Sequence, residues 1–356
     1  MSDTKQTIMT IFQRSRGLSV AWITLLIAAT LPQGTAAEPV LSVSDSFFAK
    51  PAEAYAFRAH YPVTLQELVD PGIAGDAVSP RGVTTPPPND LLKRLRDGFS
   101  FESVINRRVQ AELNWLMRHP DYVDRVFKRA QRFLPYIADE IEKRGLPLEL
   151  ALLPIVESGY DPFAYSHGRA AGLWQIIPGT ARRHGIRQNW WYDGRRDVVD
   201  STNGALKYLT RLHDMFDGDW LLAVASYNSG EGNVLKAVKR NRKKGRPTDF
   251  WNLKLSRETS SYVPRLLAVV ELVRNPAEYG IALPSLIDES QFVVAETGGQ
   301  LDLALASELA GIELDTLYAF NAGFNRWSTD PAGPHRLLLP VDVADSFDEA
   351  LATVPQ

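Results

Sequence analysis

The chain of 356 residues contains no cysteine. This absence excludes a disulfide framework and a thiol metal site, and it leaves no side chain to carry a lipid at a signal-peptide junction. The chain also lacks a glycine-rich phosphate loop and any histidine pair with metal-ligand spacing, since His167, His184 and His213 stand in unlike contexts. The sequence therefore predicts a function that requires no cofactor and no metal.

Long apolar runs are missing too, apart from one near the N-terminus. Leu18 to Leu31 follows the basic residues Lys5, Arg14 and Arg16 and precedes the small residues 34–37. The run is too short for a convincing membrane span, and this order is typical of a secretory signal, with an uncleaved anchor as the alternative. We expect residues 1–37 to be a signal peptide and the protein to be periplasmic, which argues against nucleic acid as a partner.

Helical periodicity is absent from residues 38–100, where Pro71-Gly72, Pro80 and the run Pro86-Pro87-Pro88 interrupt the chain. This stretch is predicted to be an extended N-terminal arm. Near its end, Asn89-Asp90 is expected to cap a short helix that docks the arm on the body.

Apolar residues recur at helical spacing between residues 101 and 285, which predicts a mainly α fold with a helical domain in this range. Helices are expected to begin near Ser103, Asn203, Trp220 and Ser261. A further helix is expected over 122–141 with a bend at Pro135, and another over 148–156.

Glu157 ends the apolar run Leu148 to Val156, which as a helix should be buried. An acid at that place leaves water with the helix, and desolvation together with the negative end of the helix dipole raises a carboxyl pKa. Glu157 could then keep its proton near neutral pH and act as a general acid. The alternative is an ordinary, partly exposed glutamate at a helix end.

Further segments follow Glu157-Ser158 in order: Ser166, GLWQ at 172–175, SYNSG at 226–230, and Glu258 to Tyr262. Together with the segments LPIVES and NWWYDGRRDV, they resemble the motifs of the soluble-type (family 1) lytic transglycosylases. Within that family they resemble the membrane-bound D-type branch. The resemblance covers roughly Phe101 to the C-terminus and implies a lysozyme-like fold for the helical domain. D-type enzymes are usually lipoproteins, and a chain without cysteine departs from that pattern, so we expect no lipid anchor.

The resemblance implies one catalytic residue and five that bind substrate. Glu157 is the catalytic acid; Ser166 orients the substrate N-acetyl group, Gln175 lines the saccharide cleft, and Asn228 binds or braces from a helix end. Tyr262 reaches Glu157 or the sugar, and Tyr227 belongs to the same motif as Asn228. Each of these residues also has a structural alternative, as a helix cap, a turn residue or a half-buried core tyrosine.

Most glycosidases use two carboxylates, and the sequence offers only one that is well placed. Asp161, Asp193 and Asp197 are interpreted as structural, since Asp161 precedes a proline and the other two stand beside Arg195 and Arg196. The resemblance implies that the substrate's N-acetyl group replaces the second carboxylate. Glu157 then acts first as acid and later as base.

Two further features have open interpretations. The aromatic run Trp190, Trp191 and Tyr192 either packs against the core or stacks on sugars. The basic run between Lys236 and Arg246 is either a solvated helix end or an attraction for anionic wall polymers.

The last part of the chain, 290–345, has a pattern that predicts the order strand, helix, helix, strand. The strands are expected at Phe292 to Val294 and Arg336 to Val341, and the helices at Leu301 to Ala310 and Asp315 to Phe320. This order resembles a LysM module, although Gly299-Gln300-Leu301-Asp302 replaces its usual Gly-Asp-Thr-Leu opening. A small α+β module is therefore expected, which either binds glycan or braces the catalytic domain.

The resemblance thus implies a peptidoglycan lytic transglycosylase that cleaves the MurNAc-GlcNAc bond and leaves a 1,6-anhydromuramyl end. The alternatives are a hydrolytic, lysozyme-like muramidase and a non-catalytic peptidoglycan-binding protein. Peptidoglycan glycan strands are the expected partner, with association at the outer membrane or the wall as a second expectation.

Overall fold

The structure is a computed structural model that describes residues 89–354. The predicted signal peptide and the part of the N-terminal arm before residue 89 lie outside the described residues. The bounds of the four segments expected from the sequence, 1–37, 38–100, 101–285 and 290–345, stay predictions.

Helices make up most of the described chain before residue 290. In chain order they are α1 (Leu91–Asp97), α2 (Arg107–Arg118), α3 (Pro120–Ala130), α4 (Leu134–Glu142), α5 (Leu153–Ser158), α6 (Pro178–Arg183), α7 (Val198–Met215), α8 (Trp220–Ser229), α9 (Glu231–Arg242) and α10 (Arg257–Arg274). Short 3-10 helices cover Leu148–Leu152 and Phe250–Asn252. No helix within residues 89–354 combines the length and apolar character that a bilayer crossing requires.

Helix α10 lies at the centre of this bundle. From Tyr262 to Val273 every residue except Arg265 is buried, and the helix packs against α2, α5 and α8. A helix that is apolar on almost all sides must be enclosed by other elements. Its N-terminal turns carry Glu258 and Tyr262, so the centre of the core also positions the candidate site.

Capping residues decide where several helices begin. Asp90 caps α1 by accepting from the Leu92 amide at 3.0 Å, which confirms the short predicted helix. Helix α2 begins at Arg107 and not near Ser103, because the Asn106 side chain accepts from two amides of the first turn. Helices α7 and α10 begin before the positions expected from their apolar pattern, since Asp197 and Ser256 cap them.

Prolines divide two helices that were predicted to be continuous. The helix expected over 122–141 ends at Ala130 and resumes at Leu134, so Pro135 lies in a first turn and does not bend a helix interior. The run 148–156 begins as a 3-10 helix and becomes α5 at Leu153, with Pro154 in its first turn. A proline has no amide hydrogen to donate, and the first turn is where that loss is tolerated.

The C-terminal part is a small α+β unit. It contains β1 (Phe292–Glu296), α11 (Leu303–Ala310), α12 (Leu314–Phe320), β2 (Arg336–Pro340) and α13 (Ala344–Leu351). The two strands pair antiparallel, with Val294 opposite Leu338. The predicted order of strands and helices is confirmed, while α13, which buries Phe347 in this unit's core, was not predicted.

Buried contacts join this unit to the helical bundle. Arg336 of β2 donates to Asp197 at 3.0 and 3.1 Å and to Asp200 at 3.0 Å, both at the start of α7. Phe133 of the bundle lies 6.0 and 6.1 Å from the rings of Phe292 and Phe320. The unit is therefore packed against the bundle, as the bracing alternative expects.

We predict that Arg336→Met lowers the free energy of unfolding by about 3 kcal/mol, because it leaves the buried carboxylate of Asp197 and the half-buried carboxylate of Asp200 without this partner. The side chains of Arg336 and Asp197 are only 12% and 4% exposed. Chemical denaturation measures the change. Lys93→Met is the matched control, since its pair with Asp97 is 68% and 62% exposed and should be worth less than about 1 kcal/mol. Equal effects of the two substitutions would contradict the prediction.

Candidate active site

Glu157 is the next-to-last residue of α5, whose first three residues are buried. The helix ends at Gly159, which adopts φ +61°, and the hydroxyl of buried Tyr160 donates to the Ala151 carbonyl at 2.7 Å. The chain thus turns sharply after Glu157, and the hydrogen bond from Tyr160 fixes the turn to the residues that precede α5. The glutamate is left half-buried at the helix end.

The carboxyl of Glu157 has a strongly shifted pKa. Burial raises it from 4.5 to about 8, while the hydrogen bond from Tyr262 lowers it and the nearby charge of Glu258 raises it. The carboxyl therefore holds its proton over most of the neutral range.

Two tyrosines, Tyr262 and Tyr227, lie near the Glu157 carboxyl. The Tyr262 hydroxyl donates to Glu157 Oε1, and the Tyr227 hydroxyl donates to the Trp174 carbonyl at 2.8 Å. Burial raises the pKa of both phenols well above 10, and the charge of Glu157 acts in the same direction on each. Both tyrosines consequently remain neutral donors.

Ser158 joins α5 to the turn at 172–175. Its hydroxyl lies 2.9 Å from the Leu173 carbonyl and 3.2 Å from the Pro154 carbonyl, to either of which it can donate. In that turn Gly172 has φ +77°, and a Cβ there would lie 1.9 Å from the Arg195 carbonyl oxygen. Only glycine fits this position, because both its conformation and its contact with the 193–196 loop exclude a side chain.

Gln175 and Ser166 both make hydrogen bonds within their own loops. The Gln175 amide donates to the Gly172 carbonyl at 2.9 Å and to the Ala164 carbonyl at 3.2 Å. The Ser166 hydroxyl accepts from the Ala170 amide at 3.1 Å. Neither has a hydrogen bond to Glu157 among the described residues. Ser166 fits its alternative as a turn residue, whereas Gln175 lies in the turn at 172–175 and caps none of the helices within residues 89–354.

Asn228 connects the end of α8 to the start of α10. Its amide donates to Glu258 at 3.2 Å, and its carbonyl accepts from the Thr259 hydroxyl at 2.9 Å. Glu258 is exposed, and four residues along the same helix Tyr262 donates to Glu157. The structure thus brings together Glu157, Tyr262, Tyr227, Asn228 and, beside them, Glu258.

Glu258 is the carboxylate that the search for a second acid in the sequence missed. The sequence did contain a signal for it. Glu258 stands four residues before Tyr262, residues four apart lie on the same face of a helix, and Tyr262 was expected to reach Glu157 or the sugar. Asp161, considered in its place, accepts from the Phe163 amide at 2.9 Å in a turn.

The two other aspartates considered as a second acid, Asp193 and Asp197, form ion pairs with arginines. One of the two arginines is not the partner that the sequence indicated. Asp193 pairs with Arg195 at 2.7 Å. Asp197 caps α7 and pairs with Arg336, not with Arg195 or Arg196 as the sequence indicated. The correct partner was out of reach of sequence reasoning because it stands 139 residues further along the chain.

The aromatic and basic runs separate into different environments. Tyr192 is fully buried and donates to Asp200 at 2.8 Å, which fits the packing interpretation, but Trp190 is 64% exposed. The basic run covers the exposed end of α9 and the loop after it. Within residues 89–354 no group of three or more His, Asp or Glu side chains is arranged to hold a metal ion.

Comparison with family models gives two matches. Residues 135–250 match the Transglycosylase SLT domain. Residues 291–356 match the family described as Lytic transglycosylase MltD, LysM-like domain. With the helical bundle and the two-stranded C-terminal unit, these matches confirm the predicted fold class.

Two relatives share about two fifths of their aligned residues with this chain. Membrane-bound lytic murein transglycosylase D of Escherichia coli (strain K12) is 41% identical over 272 residues, which are 76% of this chain and 60% of that protein. A putative tributyltin chloride resistance protein of Alteromonas sp. (strain M-1) is 40% identical over 166 residues, or 47% of this chain and 78% of that protein. The chain therefore spans 60% of the length of the first relative.

Among solved structures, the 70 kDa soluble lytic transglycosylase of Escherichia coli aligns with a TM-score of 0.32 and 24% identity, over 39% of this chain and 24% of that one.

We predict that Glu157 lowers protein stability as the pH rises. The raised pKa means that the folded chain keeps a proton between pH 4.5 and about 8 that the unfolded chain releases. The stability contributed by the protonated group is thus present below about pH 4.5 and lost as the pH passes about 8. Glu157→Gln cannot ionise, so its unfolding midpoint should exceed that of the wild type by several degrees more at about pH 8.5 than at about pH 5.

Scanning calorimetry at the two pH values measures this difference, and the exposed substitution Glu102→Gln is its control. Parallel pH dependence of the wild type and Glu157→Gln would contradict a raised pKa.

Proposed function

Since this chain belongs to the transglycosylase SLT family, we propose that it is a peptidoglycan lytic transglycosylase that cleaves the β-1,4 bond from MurNAc to GlcNAc. The observation that carries the proposal is the carboxyl of half-buried Glu157, which has a pKa of about 8 and accepts from Tyr262. A general acid works best when its pKa lies near the working pH, and this carboxyl meets that condition.

Glu157 acts first as the acid. It gives its proton to the glycosidic oxygen, and the bond to the anomeric carbon breaks as positive charge develops there. The carbonyl oxygen of the substrate's own N-acetyl group attacks that carbon and forms an oxazolinium-like intermediate, so no second carboxylate is required. Glu157 is then ionised, and Tyr262 stabilises the new charge by donating to it.

Glu157 acts next as the base. It removes the proton of the C6 hydroxyl of the same sugar, and the C6 oxygen attacks the anomeric carbon to close a 1,6-anhydro ring. The bond from that carbon to the oxazolinium oxygen breaks at the same time, which restores the N-acetyl group. An intramolecular nucleophile has a large effective-concentration advantage over water that reaches a half-enclosed carboxyl. The proton returns to Glu157, so the residue is ready for another cycle.

The surrounding residues bind and orient the sugar in this proposal. Ser166 orients the N-acetyl group and Gln175 lines the cleft from the turn at 172–175. Asn228 braces the far side through Glu258 and Thr259, while Tyr227 and Tyr262 supply neutral donors. Each of the loops involved is fixed by backbone hydrogen bonds, which supports a preorganised cleft.

A hydrolytic muramidase is the second candidate function, and one observation favours it. Glu258 lies close enough to Glu157 to raise its pKa, so a second carboxylate is present near the acid. A hydrolase of the two-carboxylate type uses such a group as nucleophile or as base for water. Glu258, however, is exposed and accepts from Asn228, which suits a bracing role better. A non-catalytic binding protein is disfavoured because a buried acid is costly to retain without a use.

Peptidoglycan glycan strands are the proposed partner and the periplasm the proposed location. The signal-like order of residues 1–37 supports export, and the relative from Escherichia coli is named as membrane-bound and as acting on murein. Association with the outer membrane or the wall is part of the same proposal.

We predict that Glu157→Gln lowers the release of muropeptides from purified sacculi by about 10²- to 10⁴-fold while the protein still binds them, because the amide keeps the shape but cannot transfer a proton. Mass spectrometry of the soluble products measures the release. Glu258→Gln is the matched control, and it should retain activity within about tenfold of the wild type. Equal, near-complete losses in the two variants would favour the two-carboxylate hydrolase instead.

A further inference from the structure

Two tryptophans are exposed where the helical bundle meets the C-terminal unit. Trp190 is 64% exposed and Trp327 is 61% exposed. Trp191 lies between them, with its ring 5.7 Å from that of Trp327 in an edge arrangement, and the Arg326 guanidinium lies 3.3 Å from the centre of the Trp190 ring. We call Trp190, Trp191, Arg326 and Trp327 the tryptophan surface.

The backbone holds this surface in place. The Asn189 side chain accepts from the Trp191 and Tyr192 amides, both at 2.8 Å. The Asn325 amide donates to the Trp191 carbonyl at 2.8 Å, and the Leu303 amide donates to the Trp327 carbonyl at 2.7 Å. Two exposed indoles held close to each other form an apolar patch, and contiguous apolar patches mark binding surfaces.

Positive charge lies at this surface and beside it, on Arg326 and Arg196, and the carboxylate of Asp193 offsets part of the charge of Arg196. Arg326 and Arg196 form no ion pair within residues 89–354, and Arg196 donates instead to the neutral side chain of Asn325. Nearby Arg187, in contrast, pairs with Asp330 at 3.3 Å. The buried Nε atoms of Arg196 and Arg326 have no hydrogen-bond partner either. Two such guanidinium groups attract an anionic ligand.

The tryptophan surface continues from the candidate cleft. Arg195 donates to the Arg169 carbonyl at 2.6 Å and to the Ile176 carbonyl at 3.2 Å, so its loop is attached to both loops that carry Ser166 and Gln175. The next residue, Arg196, is close enough to the half-exposed Tyr165 to interact with its hydroxyl electrostatically. A polymer leaving the cleft along this loop would reach the tryptophans.

We propose that the tryptophan surface binds a peptidoglycan glycan strand outside the cleft. The indoles stack on the apolar C–H faces of the pyranose rings, and Arg326 and Arg196 pair with the carboxylates of the muramyl peptides. The choice of saccharide rests on the proposed function. The surface requires both parts of the chain, since Trp190 precedes α7 and Trp327 follows α12.

The test measures binding to purified, insoluble sacculi and release of muropeptides on the same protein preparations. The double variant Trp190→Ala/Trp327→Ala should bind sacculi at least about tenfold more weakly than the wild type, because both stacking faces are lost. Trp190→Phe keeps an aromatic face and should retain most of the binding. Arg326→Gln should make binding less sensitive to salt. Val294→Ala, 45% exposed on β1 of the same unit, should bind like the wild type.

Thermal unfolding establishes that each variant is folded. The proposal would be overturned if the folded double variant bound sacculi as tightly as the wild type does. It would also be overturned if Trp190→Phe and Val294→Ala both lost sacculus binding to the same extent. Binding that depends on the tryptophans without any release of muropeptides by the wild type would support this surface and refute only the proposed cleavage. Release by the wild type with unaltered binding by the double variant would refute only the surface.

Discussion

The proposed chemistry depends on a hydrogen bond from a buried tyrosine to the carboxyl of a half-buried glutamate. Tyr262 donates to Glu157 from the central helix, while Glu157 lies at the end of a helix that the bundle encloses. Burial alone would raise the pKa of the carboxyl further, and the phenol limits that rise to about 8. The side chain is therefore able both to hold a proton at neutral pH and to remain stable after losing it. An acid that later acts as a base requires both properties.

The loops around this pair depend on a close backbone contact. Gly172 touches the Arg195 carbonyl, and Arg195 in turn donates to carbonyls of the two loops that carry Ser166 and Gln175. The same stretch of chain is attached to the C-terminal unit through the Asp193 amide, which donates to the Gly323 carbonyl at 2.8 Å. The C-terminal unit is thus attached to the loops that carry Ser166 and Gln175, and the proposed glycan binding at the shared boundary would add to this contact without replacing it.

The sequence predicted what local patterns determine and missed what distant contacts determine. The helical class, the strand and helix order after residue 290, and Glu157 at the end of an apolar run follow from periodicity and composition. The starts of helices were misplaced where a capping residue precedes the apolar pattern. The partner of Asp197 and the boundary that exposes Trp190 and Trp327 arise from residues more than 100 positions apart, and no spacing rule reaches that far. Glu258 was within reach, since it shares a helix face with Tyr262.

The nature of the new sugar end tests the central claim most directly. Digestion of purified sacculi in water enriched in heavy oxygen, followed by mass spectrometry of the released muropeptides, distinguishes the nucleophiles. The proposed mechanism predicts 1,6-anhydromuramyl ends without the label, because Glu157 activates the C6 hydroxyl of the same sugar and no water enters the product. Reducing muramyl ends that carry the label would contradict it, and would identify water as the nucleophile and the protein as a hydrolase.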